Sequence, residues 1–234
     1  MRLPLTCPQC MRDNIADAGI LAMVEFRDDS RYDVVCPKGH KGVVALQQQK
    51  FEILFEIGAY AIFDGYYREA VSSFASSLER LYEFFVRAAA LEAGLSEQSI
   101  ADAWKLVAAQ SERQLGAFAF LHLFSIGVAP TLLPNKQVAF RNEVVHKGRI
   151  PTKAEAIDFG QAVLDVARPT LASARAKSPK GVEKAVFFHL RSGYPDPSEK
   201  LAAATLGIST ILSLSKPMDD TTPLADAIAK LRKR

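Results

Sequence analysis

Four metal-ligating side chains sit in two short turns near the start of the chain, and they constrain its folding more than any other feature. Cys7-Pro8-Gln9-Cys10 is a C-x2-C turn, and Cys36-Pro37-Lys38-Gly39-His40 is a C-x3-H turn 25 residues further on. Zn²⁺ takes four soft or borderline ligands in a tetrahedron, and a C-x2-C turn points two thiolates at one spot. Cys7, Cys10, Cys36 and His40 therefore predict a structural Zn²⁺ site. Gly39 permits the tight backbone of the second turn. Residues 22–26 and 32–35 read as short strands, and the turn-forming residues 27–31 between them read as a hairpin that brings the two metal turns together. A third strand is expected at 43–46. The set of three thiolates and one imidazole is closed. It leaves no position for a catalytic water and favours a structural over a catalytic metal.

All 3 cysteines of the chain lie in this segment. An odd count with no secretory signal argues against a disulfide framework and for a cytoplasmic protein. The apolar runs near 115–129 and 201–214 fall short of the ~20 residues needed to cross a bilayer, so no membrane partner is expected. A net charge of +3 permits a nucleic-acid partner without demanding one.

Beyond residue 48 the chain turns rich in Ala and Leu with helical periodicity. Helices are expected at 51–63, from 66 to about 91, from 96 to about 109, at 112–124, at 135–147 and from 152 to about 175. In the second of these, Tyr67, Ala70 or Val71, Phe74, Leu78, Leu81 and Phe85 recur at three- and four-residue steps, opposite Arg68, Glu69, Arg80, Glu83 and Arg87. The 112–124 helix is apolar enough to be read as central. Thr152-x-x-Glu155 is a capping box. Asp196-Pro197-Ser198-Glu199 predicts a further helix running to about Leu214, and Thr222-Pro223 a short last one. The reading divides the chain into 1–48, a helical bundle at 49–178, and a C-terminal helical extension at 179–234 packed on the bundle.

The second chemical feature is Phe140-Arg141-Asn142-Glu143-Val144-Val145-His146-Lys147-Gly148. Arg presents a planar fork of donors to a phosphate. His exchanges a proton near neutral pH. The chemistry of Arg141 and His146 matches a minimal kit for RNA cleavage without a metal. On a regular helix, residues five apart differ by about 140° in direction, so Arg141 and His146 do not share a face, whereas Asn142 and His146 do. A dimer could supply Arg and His from opposite chains.

Arg141-Asn142-x-x-x-His146, preceded by the amphipathic helix from Tyr67 to Leu81, resembles the HEPN superfamily and its R-x(4–6)-H signature, over roughly residues 50–178. The N-terminal segment looks like a zinc ribbon. The resemblance implies a mostly α protein, a HEPN-like up-and-down helical bundle preceded by a small β zinc ribbon. It also implies a homodimer and a metal-independent endoribonuclease with an RNA substrate, with Arg141 and His146 catalytic and Asn142 supporting, in the manner of a toxin or phage-defence effector with an antitoxin or other protein partner. One toxin subclass carries Tyr two residues after the His; Gly148 stands there in this chain, against that mode of control. The alternative reading is a non-catalytic adaptor that binds RNA or a protein.

Other polar and aromatic residues have plainer readings. His122 and His189 are expected to be satisfied structural histidines, Trp104 a packing anchor, and Tyr66 and Tyr67 core or cleft residues. The terminal Lys230-x-Arg232-Lys233-Arg234 is expected to be a solvated end able to hold an RNA backbone in a salt-sensitive way. No phosphate-binding loop, dinucleotide fingerprint or serine-esterase elbow is present, so these chemistries find no support.

Overall fold

The computed structural model describes residues 2–15 and 19–231. Arg232, Lys233 and Arg234 of the terminal basic motif lie outside the described residues. The fold is mostly α with a small β part, as expected. It divides into two compact units: residues up to Gln49 together with Val186–Ser209, and Lys50–Ala185 together with Thr210–Leu231.

The first unit is built on β1 (Leu3–Leu5), α1 (Pro8–Arg12), β2 (Ala22–Val24), β3 (Arg31–Val35), β4 (Lys41–Leu46) and β5 (Ala202–Leu206). The expected hairpin between the second and third strands does not form. Instead β2 pairs antiparallel with β1, Leu3 opposite Val24, while β3 pairs antiparallel with β4, Arg31 opposite Ala45. The physical reason lies in the Cys36–His40 turn, which is itself the β3–β4 connection, so residues 27–31 carry the chain from one sheet to the other. Ser30 takes φ +53° there, and Asp29 accepts from both the Arg27 side chain and the Arg31 backbone.

The helix expected from Asp196 to about Leu214 is also corrected. Asp196 and Glu199 do form a capping box, but it caps only the 3-10 turn Pro197–Glu199. Lys200 then takes a left-handed φ of +51°, and Ala202–Leu206 lies parallel to β4 with Gly42 opposite Ala202. Val43, Val44, Ala45 and Leu46 are buried, so the N–H and C=O groups of β4 need partners that water cannot supply. That demand outweighs the helix propensity of Ala-Ala-Ala. Approach is close: a Cβ on Gly42 would stand 2.7 Å from the Ala202 carbonyl oxygen. Gln48 continues the ladder with its side-chain amide, which accepts from Ile208 N–H at 3.0 Å and donates to Ile208 C=O at 2.8 Å. The His189 ring meets the Leu46 carbonyl at 2.9 Å, a structural role.

The second unit contains α2 (Lys50–Phe63), α3 (Tyr67–Glu92), α4 (Glu97–Lys105), α5 (Ser111–Ile126), α6 (Asn135–His146), α7 (Lys153–Lys177), the start of α8 (Pro179–Gly193) and α9 (Leu224–Ala229). Pro, Gly and Lys at 176–181 obscure α8 in the sequence, although Pro suits a first helical turn. Helix α3 packs against α2, α5, α6 and α7. Its fully buried Phe74 lies where two glycines leave room: a Cβ on Gly58 or on Gly160 would stand 2.7 or 2.6 Å from the ring. Two buried carboxylates of α2 hold the returning chain. Glu52 accepts from Ser213 Oγ at 2.8 Å and Leu214 N–H at 2.9 Å, and Glu56 accepts from Ile211 N–H at 2.9 Å.

Helix α5 inverts its expected role as the central helix. Its inward stripe is Gln114, Phe118 and His122, while Phe120 and Phe124 are 78% and 85% exposed. The inward polar groups are satisfied. Gln114 accepts from Arg80 and donates to the Ala108 carbonyl; His122 meets the Val128 carbonyl at 3.0 Å and stacks on Phe85.

Two glycines should respond in opposite directions to alanine. A Cβ on Gly181 would stand 1.9 Å from the Ala88 carbonyl oxygen, a rigid backbone atom. Gly181→Ala should cost about 3 kcal/mol despite its helix-propensity gain of about 1 kcal/mol. Gly116 of α5 has nothing within 4 Å of its missing Cβ. Gly116→Ala should stabilise the chain by about 0.5–1 kcal/mol. Urea unfolding of the two variants at low protein concentration checks both signs.

Candidate functional site

The four N-terminal donors converge. Cys7, Cys10, Cys36 and His40 offer ligand atoms that all lie within 4.8 Å of one another, and the three cysteines are buried. Each turn is preorganised by its own backbone. Cys7 caps α1, with Cys10 N–H donating to its Sγ at 3.4 Å. In the second turn Gly39 N–H donates to Cys36 C=O at 2.8 Å and Cys36 N–H to His40 C=O at 3.0 Å, with Gly39 at φ +80°. Ile15 and Leu21 pack against the thiols.

The spacing suits a tetrahedral ion. Bonds of about 2.3 Å to sulfur and 2.0–2.1 Å to nitrogen imply S···S separations near 3.8 Å and S···N separations near 3.5 Å. Cys10 Sγ and Cys36 Sγ are 3.8 Å apart, and His40 Nδ1 lies 3.3 Å from Cys10 Sγ and 4.0 Å from Cys7 Sγ. The cluster could therefore hold a metal ion, with His40 binding through Nδ1. Without one, crowding of the thiols is unfavourable for ionisation: burial first, then hydrogen bonds with Cys7 and Cys36, push Cys10 up to about 11. Burial pushes Cys36 upward too, but N–H groups of His40 and Lys38 and the neighbouring thiols bring it below its ordinary value.

Arg141, Asn142 and His146 all lie on α6. Arg141 and Asn142 are half-buried; His146 is exposed in the last turn. Arg141 lines an open cleft of about 280 Å³ with Leu78, Glu79 and Tyr82 of α3, Glu112 of α5 and Val138 of its own helix. His146 does not line that cleft, as the 140° between positions five apart requires. Arg141 and His146 have no hydrogen-bond or ion-pair partner among the described residues. The contrast with Arg149 is sharp: its guanidinium pairs with Glu143 and Glu155 and lies 5.1 Å over the centre of the Phe140 ring. The Arg149 backbone N–H also donates to the Glu143 carbonyl at 3.1 Å, and the pair with Glu155 ties the end of α6 to the start of α7. Glu155 is held below the usual carboxylate range by Thr152 N–H and hydroxyl, then by Arg149.

Sequence reasoning missed Arg149 and Tyr82. Arg149 stands three residues before the capping box, a spacing that would have brought it near Glu155. Tyr82 falls on the buried stripe of α3 and reads as core; its place at a cleft depends on where α5 and α6 pack. Tyr82 is only 6% exposed and stacks on Phe118 at 4.2 Å between ring centres. Burial first and then the Glu79 charge push its phenol well above the ordinary range, so it remains an O–H donor. Trp104 is half-buried in a separate cleft with Arg87 and Glu97.

Metal binding is expected to depend on pH through the thiols. A ligand thiol must lose its proton to bind, so affinity should fall as pH falls and protons compete for sulfur. Metal per chain, measured by elemental analysis after dialysis at stepped pH, should decrease on acidification; Cys36→Ser should hold less metal than the unaltered chain at every pH. No protein-family model, curated protein or solved structure matches this chain.

Proposed function

We propose that the chain is a metal-independent endoribonuclease of the HEPN type, acting as a homodimer, with structural Zn²⁺ in the Cys7–Cys10–Cys36–His40 cluster. The observation that carries this reading is an arginine and a histidine on one helix, both reaching solvent and both without an intramolecular partner among the described residues, while neighbouring Arg149 is held by two carboxylates. Zn²⁺ suits three thiolates and one imidazole, and a four-ligand site has no open position for chemistry.

Because Arg141 and His146 point away from each other, one chain does not assemble both at one phosphate. Two copies can, if each supplies part of the cleft. The outward face of α5 supports self-association. Phe120, Leu123, Phe124 and Val128 together expose roughly 500 Å² of apolar surface per copy. Two such faces bury about 1,000 Å², the lower bound of a specific interface. In the dimer, His146 from one copy takes the proton of a ribose 2′-OH as its oxygen attacks phosphorus. The other copy's His146 delivers a proton to the departing 5′-oxygen. Arg141 offsets charge growing on the phosphorane.

The divergence of Arg141 and His146 also favours a second reading, an adaptor that binds RNA or a protein without cutting. Retained RNA binding with no fragments would select it.

Two outcomes test the nuclease. Purified protein should leave fragments with 2′,3′-cyclic phosphate and 5′-OH ends, and His146→Ala or Arg141→Ala should slow cleavage by about a hundredfold or more. Unchanged cutting by both variants sinks the assignment. Phe120→Glu combined with Phe124→Glu should leave the circular-dichroism spectrum intact while shifting the protein to a monomer in light scattering, with loss of cutting. An unaltered protein that is already monomeric removes the composite site.

A further inference from the structure

We infer that Arg149 is a positioning residue for His146: it fixes the last turn of α6, on which that imidazole stands, to the start of α7. The inference deepens the nuclease reading and rests on it, since it takes His146 as the group that exchanges the proton.

His146 is the last residue of α6 and is exposed. Helix ends fray, because their final carbonyls have no partner within the helix. A group that must meet a ribose hydroxyl or a departing oxygen cannot stand on a loose turn; a misplacement of about 1 Å costs about a hundredfold in rate. The His146 side chain has no hydrogen-bond or ion-pair partner of its own among the described residues, so its backbone has to be held instead.

Arg149 holds that backbone twice over. Gly148 takes φ +73° and turns the chain back on the helix. The Arg149 N–H then donates to the Glu143 carbonyl, which also accepts from the Lys147 N–H, both at 3.1 Å. His146 lies inside both closed loops. The guanidinium repeats the grip through side chains: it pairs with Glu143 on α6 and with Glu155 on α7, and its carbon lies 5.1 Å over the centre of the Phe140 ring. Both anchors on α7 are themselves fixed. Glu155 belongs to the capping box with Thr152, and Phe140 meets the fully buried Phe159 with ring centres 5.8 Å apart.

A single exposed ion pair contributes little, but here one planar cation joins two carboxylates and an aromatic face, a network that needs the guanidinium fork. The same contacts keep Arg149 from serving as an RNA contact, because two carboxylates already face it. Positioning and contact leave different marks on the kinetics. An arginine on a phosphate acts on substrate binding and on its salt dependence. A residue that orients the proton-transfer group acts on kcat and leaves KM alone.

Two measurements on the full chain test the clamp. In RNA cleavage, Arg149→Ala should lower kcat by about tenfold or more, with KM within about twofold and the salt dependence unchanged. Amide hydrogen exchange followed by NMR reads the turn without RNA: the His146 and Lys147 amides of Arg149→Ala should exchange about tenfold faster, while those of α3 stay as they were. Glu155→Gln frees one arm of the guanidinium and keeps the capping box, which accepts Gln. It should move both readouts in the same direction by less, and it replaces Arg149→Ala if circular dichroism shows that variant unfolded. The inference falls if the two amides exchange as in the unaltered protein. It falls equally if the loss appears in KM with a weakened salt dependence, which would make Arg149 an RNA contact. The two readings fail separately. Faster exchange in a protein that leaves RNA intact removes the nuclease and keeps the clamp on the His146 turn. Cleavage with kcat unaltered in Arg149→Ala keeps the nuclease and removes the positioning role.

Discussion

The helical unit is organised around the space that Phe74 occupies. Its ring is fully buried against Gly58 of α2 and Gly160 of α7, at distances that no Cβ would tolerate. Three helices can therefore approach a single aromatic side chain, and Phe55 completes the contact with its ring centre 4.7 Å away. A close-packed interior transmits such a constraint outward. The spacing of α2, α3 and α7 determines where α5 and α6 can lie along α3, and hence which side chains border the Arg141 cleft.

The small β unit depends on a different constraint. Its first 49 positions are too short a segment to build a core of ordinary size, and the convergence of Cys7, Cys10, Cys36 and His40 offers a place where a metal ion could substitute for one. The ligand set and its two turns were legible because metal chemistry restricts both residue type and spacing. The strand pairing was not. Residues 27–31 carry every local mark of a hairpin turn, yet the turn at 36–40 takes that role between β3 and β4. The Cys36–His40 turn, which carries two of the four converging donors, is the one that joins β3 to β4.

The misread segments share a cause. Ala202–Leu206 has helix-forming composition and becomes a strand because β4 offers buried, unpaired backbone groups 156 residues earlier in the chain, counting from Leu46 to Ala202. Helix α5 is apolar enough to seem central, but Gln114 and His122 point inward and find partners in Arg80, Ala108 and Val128, leaving Phe120 and Phe124 outside. In both, hydrogen bonds to groups outside the element itself outrank local preference. The capping boxes at Thr152 and Asp196 mark the other extreme: both form, because each needs only four consecutive residues.

The sequence by itself determined the elements that local chemistry dictates: the four converging donors that could hold a metal, the long amphipathic α3, the caps and the helix that carries Arg141 and His146. Periodicity, turn geometry and ligand type all act over a few residues, so they can be read in order along the chain. Only the tertiary structure decided that Arg141 borders a cleft with Tyr82 and Glu79, that His146 looks elsewhere, and that β5 completes a sheet begun by β4. These outcomes depend on which distant groups satisfy one another once water is excluded, and that competition is settled by the packed chain as a whole.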